Sequence, residues 1–333
     1  MEKILSIVIP AYNVEKYLKR CLFSIATVKP ALLEKIEVLI INDGSTDSTP
    51  DIASKYCNKY SGIFYLYSKE NGGHGSAVNT GIHYASGKYF KVLDGDDWFA
   101  TKELQKFIEL LEKLDVDVVA SDYLCIKDGT SEILSRKSCT YDKSQYGKIC
   151  YMSQGEIKKV IKMHSLVIKT EYLKNMPYKL DEHCFYVDAE YVTYPVLNIE
   201  SVYYTHICPY MYRLGRNGQS MDIKSMQKNR NQHMRVYRSL TKFYKTANKQ
   251  EISPHTKKYI EKCIAQIVEN QFQIYISMGL QKGIREELQN WDSKLKKEYP
   301  GIYNSVEKKS IMILRASKYR LLKAAAVVYK LVK

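Results

Sequence analysis

The sequence predicts an α/β fold, a mostly parallel sheet covered by helices, followed by a helical C-terminal region. Three observations carry this. Short β-branched runs alternate with helix-like segments over residues 4–120; turn or carboxylate signals directly follow several of those runs; and the charge balance changes abruptly near residue 215. Strands that alternate with helices imply a parallel sheet with both faces buried.

The elements follow in order. Residues 4–9 (ILSIVI) form an apolar strand that should stop at Pro10, and Asn13 is placed to cap a helix whose Leu18, Cys21, Leu22 and Ile25 share one face. Residues 36–41 (IEVLII) read as a buried strand ending at Asn42, Asp43 and Gly44. Thr49 followed by Pro50 starts a helix through Ile52, Ala53 and Tyr56, because proline fits the first helical position. Residues 63–67 make a third strand, and residues 72–75 a glycine-rich loop. A helix from about Ser76 should end near Gly87, where glycine tolerates a left-handed cap. Residues 89–93 make a fourth strand, cut off by residues 94–97 (DGDD). One further helix carries Leu104, Ile108, Leu111 and Leu114, and a strand follows at 116–120.

Composition narrows the class. Of 333 residues 45% are apolar, and Tyr alone supplies 29, which excludes disordered, collagen-like and disulfide mini-domain chains. The length suits two domains, or one large domain with an appendage. No run of about 18 apolar residues appears, so no transmembrane helix is predicted. The first residues lack a signal-peptide cleavage pattern. Eight scattered Cys without a C-x-x-C pair read as reduced, mostly buried thiols of a cytosolic protein, not as zinc ligands.

Charge divides the chain. Residues 1–214 carry 26 basic and 27 acidic side chains; residues 215–333 carry 25 and 9. The predicted domains are therefore 1–214 and 215–333. A basic region can face nucleic acid, anionic lipid or an anionic substrate. Within it, residues 224–299 look helical, with Ile260, Ile264, Ile267, Val268 and Phe272 in register. Residues 311–333 read as one amphipathic helix, with Leu314, Leu321, Ala325, Val328 and Val332 facing one way and Arg315, Arg320, Lys323, Lys330 and Lys333 the other. That pattern suits an anionic membrane surface. Packing on the first domain and a coiled coil between subunits are the alternatives, and a homodimer through the Tyr-rich helices stays open.

In a parallel sheet, ligands bind beyond the carboxyl ends of the strands, and residues 10–13, 43–45 and 94–97 all fall there. Asp94, Asp96 and Asp97 would repel one another unless they share a counter-cation, and oxygen ligands suit Mg2+ or Mn2+, which also binds substrate phosphates. A solvated turn capping the next helix is the plainer reading. Asp43 can accept the N–H of a pyrimidine base, or simply close an Asx-turn. Residues 71–75 (NGGHG) form a permissive loop that matches neither the Walker nor the G-x-G-x-x-G spacing.

Together these stretches resemble the family 2 glycosyltransferases of the GT-A fold, whose sheet is Rossmann-like. The matching segments are 6–13 (SIVIPAYN), 38–47 (VLIINDGSTD), 71–73 (NGG), 79–81 (NTG) and 93–98 (LDGDDW). The resemblance implies inverting transfer of a sugar from a nucleotide-sugar donor, usually a UDP-sugar, aided by Mn2+ or Mg2+. It places Pro10, Tyr12 and Asn13 at the nucleoside, Asp43 at the base, Asn71 and Gly72 in the nucleotide loop, and Asp94 with Asp96 at the metal-bound ribose and diphosphate. Asp97 is a second candidate metal ligand. Val78 stands where the family often has a basic residue.

The resemblance also implies a general base within residues 185–191 (FYVDAEY), where Asp188 matches the base position and Glu190 is the fallback; an acidic helix start is the alternative. His164 would lie on the acceptor side as a sugar contact. Arg213, with the loop 215–220 (GRNGQS), resembles a segment that closes over the diphosphate. The implied acceptor is a glycan or lipid-linked glycan in cell-surface polysaccharide synthesis, met by a cytoplasmic enzyme on the inner face of the plasma membrane. A non-catalytic scaffold of the same fold, a nucleic-acid binder and a sugar nucleotidyltransferase are the rival classes. No standard nucleic-acid module appears.

Overall fold

The computed structural model describes residues 3–216, 219–220 and 222–332. The chain divides into two compact units, Met1–Asn217 and Gly218–Lys333.

The first unit is built on strands β1 (Leu5–Ala11), β2 (Ile36–Asp43), β3 (Phe64–Lys69), β4 (Tyr89–Val92), β5 (Trp98–Phe99), β6 (Val118–Lys127), β7 (Ile133–Lys137), β8 (Ile149–Tyr151), β9 (Leu166–Lys169) and β10 (Ser201–Leu214). The main sheet runs β3-β2-β1-β4-β9-β6-β10-β5. β3, β2, β1 and β4 are mutually parallel, as are β6 and β10, so six strands share a direction. β9 enters antiparallel between β4 and β6. Helices α1 (Glu15–Ala26), α2 (Pro30–Leu33), α3 (Thr49–Lys59), α4 (Gly73–Tyr84), α5 (Thr101–Leu111), α6 (Thr170–Lys174) and α7 (Asp188–Thr193) connect and cover it. The expected α/β class is found, with Leu18, Cys21, Leu22 and Ile25 of α1 packed with β1 and β2 in the core.

Several local expectations are corrected. β1 does not stop at Pro10 but continues to Ala11. The C=O of Val8 accepts from Leu93 on the β4 side; by alternation the ring nitrogen of Pro10 faces that same side, past the end of β4, where no donor is required. Asn13 does not cap α1, which begins at Glu15 without a side-chain cap. Asn13 adopts φ 51° and its Oδ1 accepts the Thr46 N–H at 2.9 Å. α4 starts at Gly73, three residues before Ser76, and Gly87 is not its cap. Gly87 instead lies against β1, where a Cβ would come within 2.7 Å of the Ser6 nitrogen. Finally, β6 is longer and later than 116–120, and Leu114 falls beyond α5.

The second unit is helical: α8 (Ile223–Lys228), α9 (Arg230–Ala247), α10 (Pro254–Ser277), α11 (Ile284–Glu298), α12 (Pro300–Asn304), α13 (Lys309–Ala316) and α14 (Leu322–Val332). The predicted face of α10 (Ile260, Ile264, Ile267, Val268, Phe272) is buried. Trp291 sits among Tyr237, Phe272 and Tyr275, at ring distances of 5.6, 5.7 and 5.8 Å. The helix predicted over 311–333 is two helices. Buried Asp292 takes a bidentate contact from Arg315 (2.9 and 2.7 Å) and a hydrogen bond from Tyr319. Bringing both side chains to one carboxylate turns the chain through Lys318 (φ 49°) and Tyr319 (φ 61°), which ends α13. Leu322 and Ala326 of α14 are buried and lie close to Gly279, whereas Leu321 and Val328 of the predicted apolar face stay exposed. Lys333 and the side chain of Val332 lie outside the described residues. Among the described residues no helix is long and apolar enough to cross a membrane.

Candidate active site

Because β2, β1 and β4 are parallel neighbours, their carboxyl ends bring residues 12–13, Asp43 and residues 94–97 to one edge. The loop after β1 is laced to the loop after β2. Asn13 N–H donates to Ser45 Oγ (3.1 Å), Glu15 N–H to Asp47 Oδ2 (3.1 Å), and Glu15 Oε2 accepts from Ser48 N–H (2.9 Å). Tyr12 projects from this frame and is exposed; Pro10 is buried.

Asp43 is buried, and its carboxylate is well supplied with donors. Oδ1 accepts from Lys69 Nζ (2.9 Å) and Gly72 N–H (3.0 Å); Oδ2 accepts from Gly73 N–H (2.7 Å) and Asn71 Nδ2 (3.1 Å). One side chain at the end of β2 thereby fixes both Asn71 and the start of α4.

The acidic turn is held differently at each position. Asp94 Oδ1 lies 3.0 Å from His74 Nε2. Burial alone would raise its pKa, but the His74 hydrogen bond and charge outweigh this and bring it below the usual range. Asp96 pairs with Arg216 Nη2 at 3.0 Å, yet desolvation and the neighbouring Asp94 charge raise it. Asp97, 1% exposed, accepts from Tyr210 Oη (2.7 Å) and Arg213 N–H (2.7 Å). Burial, then the charges of Asp96 and Asp94, push it well above the carboxylate range. A cation would relieve that crowding.

The structure brings His164 to this turn. One ligand atom from each of Asp94, Asp97 and His164 falls within 4.8 Å of the others, whereas Asp96 stands outside that group. His164 is packed between aromatic rings, with centroids 4.1 Å from Tyr212 and 5.0 Å from Tyr123 and Tyr210. Burial drives its pKa to about 4, leaving a neutral imidazole able to ligate. Carboxylates and a neutral imidazole form a donor set that Mn2+ accepts. Behind it, Lys91 is fully buried and donates to the C=O of His164 (2.9 Å) and of Leu166 (3.3 Å); burial lowers its pKa to about 7.

Asp188 opens α7 and reaches solvent. The protein around it still desolvates the carboxylate and raises its pKa; Lys162 and His74 pull the other way, and Asp94 adds to the rise. His74 itself is raised, because Asp94, Asp188 and Asp96 together outweigh its burial. Glu190, the fallback base, is completely buried, accepts the Asp181 N–H at 2.8 Å, and is pushed up to about 8 mainly by burial. Its surroundings are those of a structural carboxylic acid.

Arg213 is buried. Its Nε donates to the Asp96 C=O (2.7 Å) and its Nη1 to Asp128 (2.9 Å), with the guanidinium over Tyr17 and Trp98. It braces the acidic turn from behind, while Arg216 meets the Asp96 side chain. Asn217 and Gly218 of the same loop lie outside the described residues. Sequence reasoning missed Lys91, Tyr210, the nearness of His164 to the acids, and the pairing of Asn79 with Leu180. A lysine inside an apolar strand was the one local signal available for any of them.

A model of the family described as Glycosyl transferase family 2 matches residues 6–173. Glycosyltransferase GlyA of Streptococcus pneumoniae serotype 4 is 33% identical over 119 residues, which make 36% of this chain and 16% of that protein. The uncharacterized glycosyltransferase MG025 homolog of Mycoplasma pneumoniae is 31% identical over 204 residues, 60% of this chain and 64% of that protein. The chain thus spans less than two thirds of the length of these relatives. Among solved structures, Staphylococcus aureus TarS 1–349 in complex with UDP-GlcNAc superposes with a TM-score of 0.66 at 18% identity, over 98% of this chain and 89% of that one. The mannosyltransferase PcManGT of Pyrobaculum calidifontis, in complex with GDP-Man and Mn2+, gives 0.51 at 16%, over 100% and 88%. At these identities the likeness is one of fold, and the fold is the expected GT-A architecture. The family match covers half of the chain and includes each strand-end motif described above, so the chain belongs to glycosyl transferase family 2.

Proposed function

We propose that the chain transfers a sugar from a nucleotide-sugar, preferentially a UDP-sugar, to a hydroxyl of a glycan or lipid-linked glycan, with inversion, in the synthesis of a cell-surface polysaccharide or glycoconjugate. The observation that carries this reading is geometric: Asp94, Asp97 and His164 bring ligand atoms within 4.8 Å of one another at the acidic turn, and a separate, exposed carboxylate, Asp188, opens α7. Inverting transfer needs a cation site for the diphosphate and a separate base for the acceptor, and these groups supply one each.

Asp188 takes the proton of the acceptor hydroxyl as the new C–O bond forms and the nucleoside diphosphate leaves from the opposite face. Its raised pKa, caused mainly by desolvation, strengthens it as a base. Asp94, Asp97 and His164 are the groups that would hold Mn2+ or Mg2+, with Asp96 beside them on the same turn; the ion would neutralise charge developing on the leaving diphosphate. Pro10, Tyr12, Asn13, Asp43, Asn71 and Gly72 form the nucleoside end. Arg213 holds the acidic turn, and Arg216, paired with Asp96, is a cation for the diphosphate end. The nucleotide-sugars in TarS and PcManGT, and the Mn2+ in PcManGT, support this assignment.

The second unit supports a membrane-facing role. Val327, Val328 and Leu331 of α14, with Leu321 just before it, leave an apolar stripe exposed, and residues 308–333 contain eight Lys or Arg and no acid. An anionic bilayer matches both features. On this reading the chain works peripherally on the cytoplasmic face of the plasma membrane, where a lipid-linked acceptor is presented.

The test is a thermal-shift panel of UDP-, GDP-, CDP- and TDP-sugars, each with Mn2+ and with EDTA. A ligand at about 100 times its Kd adds about 2.7 kcal/mol of apparent stability. Stabilisation by UDP-sugars that vanishes in EDTA is expected; no response to any nucleotide would favour the scaffold reading.

A further inference from the structure

The segment that leads to Asp188 is braced by α4 and by the residue before it. Residues 180–187 are irregular and pass through two left-handed residues that are not glycine, His183 (φ 50°) and Tyr186 (φ 68°). Such conformations are unfavourable for non-glycine residues and persist where the surroundings hold them. Here α4 and Gly72 before it supply contacts to the first half of the segment. Asn79 Nδ2 donates to the Leu180 C=O at 2.9 Å, and the Leu180 N–H donates back to Asn79 Oδ1 at 3.0 Å. The Gly72 C=O accepts the His183 N–H at 2.5 Å. Gly75 packs so closely on the Asp181 carbonyl that a Cβ would come within 2.2 Å of its oxygen. From the other side Glu190 holds the Asp181 N–H.

The start of α4 is in turn fixed by Asp43 through Gly72 and Gly73. A continuous set of hydrogen bonds therefore joins the end of β2 to the segment that carries Asp188.

We propose that Asn79 is a positioning residue for Asp188, and that the Asn79–Leu180 pair with the Gly72–His183 bond joins the nucleotide loop and the base-bearing loop into one unit. The inference rests on the reading of Asp188 as the general base. Asparagine suits this role because its side-chain amide offers one donor and one acceptor, matching the C=O and N–H of a single backbone residue. A carboxylate would supply only the acceptor, and an alanine neither. What the clamp secures is distance, since a base displaced by about 1 Å can lose about 100-fold in rate.

The test compares the full chain with Asn79→Ala and Asn79→Asp by three readouts: hydrogen exchange over residues 180–190, calorimetric binding of UDP with Mn2+, and kcat with the donor found by the thermal-shift panel. In Asn79→Ala, exchange over 180–190 should rise while that of β1 and β2 is unchanged. The UDP Kd should stay within about two-fold, and kcat should fall about 10- to 100-fold. Asn79→Asp, which keeps the acceptor for Leu180, should recover part of both losses. Unchanged exchange over 180–190 in Asn79→Ala overturns the proposal, as does a loss of UDP affinity that matches the loss in kcat. A wild-type chain that binds no nucleotide would defeat the functional reading alone, and the exchange data would still decide the clamp.

Discussion

Tyr210 Oη donates to Asp97 Oδ2 at 2.7 Å and accepts the N–H of Asp94 at 3.3 Å. A single phenol from β10 thus ties both ends of the acidic turn that ends the β4 side of the site. Asp97 is buried away from water, and the Asp94 bond is partly so. Tyr210→Phe keeps the ring and removes these bonds, and should cost about 1–3 kcal/mol, the usual penalty for stranding buried polar groups. Urea unfolding of the pure protein would measure it; a change below about 0.5 kcal/mol would mean that the turn is held by other contacts.

Asp188→Asn should leave nucleotide binding intact and abolish transfer, because the amide cannot accept the hydroxyl proton. Wild-type kcat/KM should fall with decreasing pH through a limb lying above the ordinary carboxylate range, as expected for a base whose pKa is raised by desolvation. Turnover by Asp188→Asn at the wild-type rate would remove Asp188 from the role.

Much of the edge formed by the strand ends could be read from the chain itself, and the reason is local. Each motif at 10–13, 43–45 and 94–97 directly follows its own strand, so strand order alone gathers them. The residues that meet the acidic turn from other strands could not be read that way. His164 reaches Asp94 and Asp97 because β9 enters antiparallel beside β4, and Tyr210 arrives on a strand more than a hundred residues later. Neither pairing has a signature within a short window. The C-terminal helix failed for a related reason: a wheel drawn over 311–333 does not contain Asp292, the group that draws Arg315 and Tyr319 together and breaks the helix.

Glu190 gives a prediction about stability. Its folded pKa of about 8 lies above the unfolded value near 4.5, so the folded state holds the proton more tightly. The stability this confers is complete below the unfolded value and is lost as pH rises through about 8. Glu190→Gln keeps an acceptor for the Asp181 N–H and removes the titration. Its unfolding free energy should therefore vary less than that of wild type between about pH 5 and 9. Parallel profiles for the two proteins would show that Glu190 ionises normally.

The exposed stripe of α14 gives the last prediction, and its strength is that the residues concerned can be changed without touching the core. Val328 is 59% exposed and Leu331 80%, whereas Leu322 and Ala326 are buried. The double change Val328→Asp, Leu331→Asp should leave the unfolding transition within about 0.5 kcal/mol of wild type, as exposed substitutions generally do. Binding to vesicles containing anionic lipid should be lost, since the apolar contact and part of the positive field disappear together. Wild-type binding should weaken when anionic lipid is replaced by zwitterionic lipid, and again at high salt, because each juxtamembrane Lys or Arg contributes about 1 kcal/mol only near a negative surface. Co-sedimentation with the two vesicle types separates the causes. Equal binding of wild type and double variant to anionic vesicles would assign the interaction to the wider basic surface, and failure of wild type to bind either would leave the stripe to a protein partner.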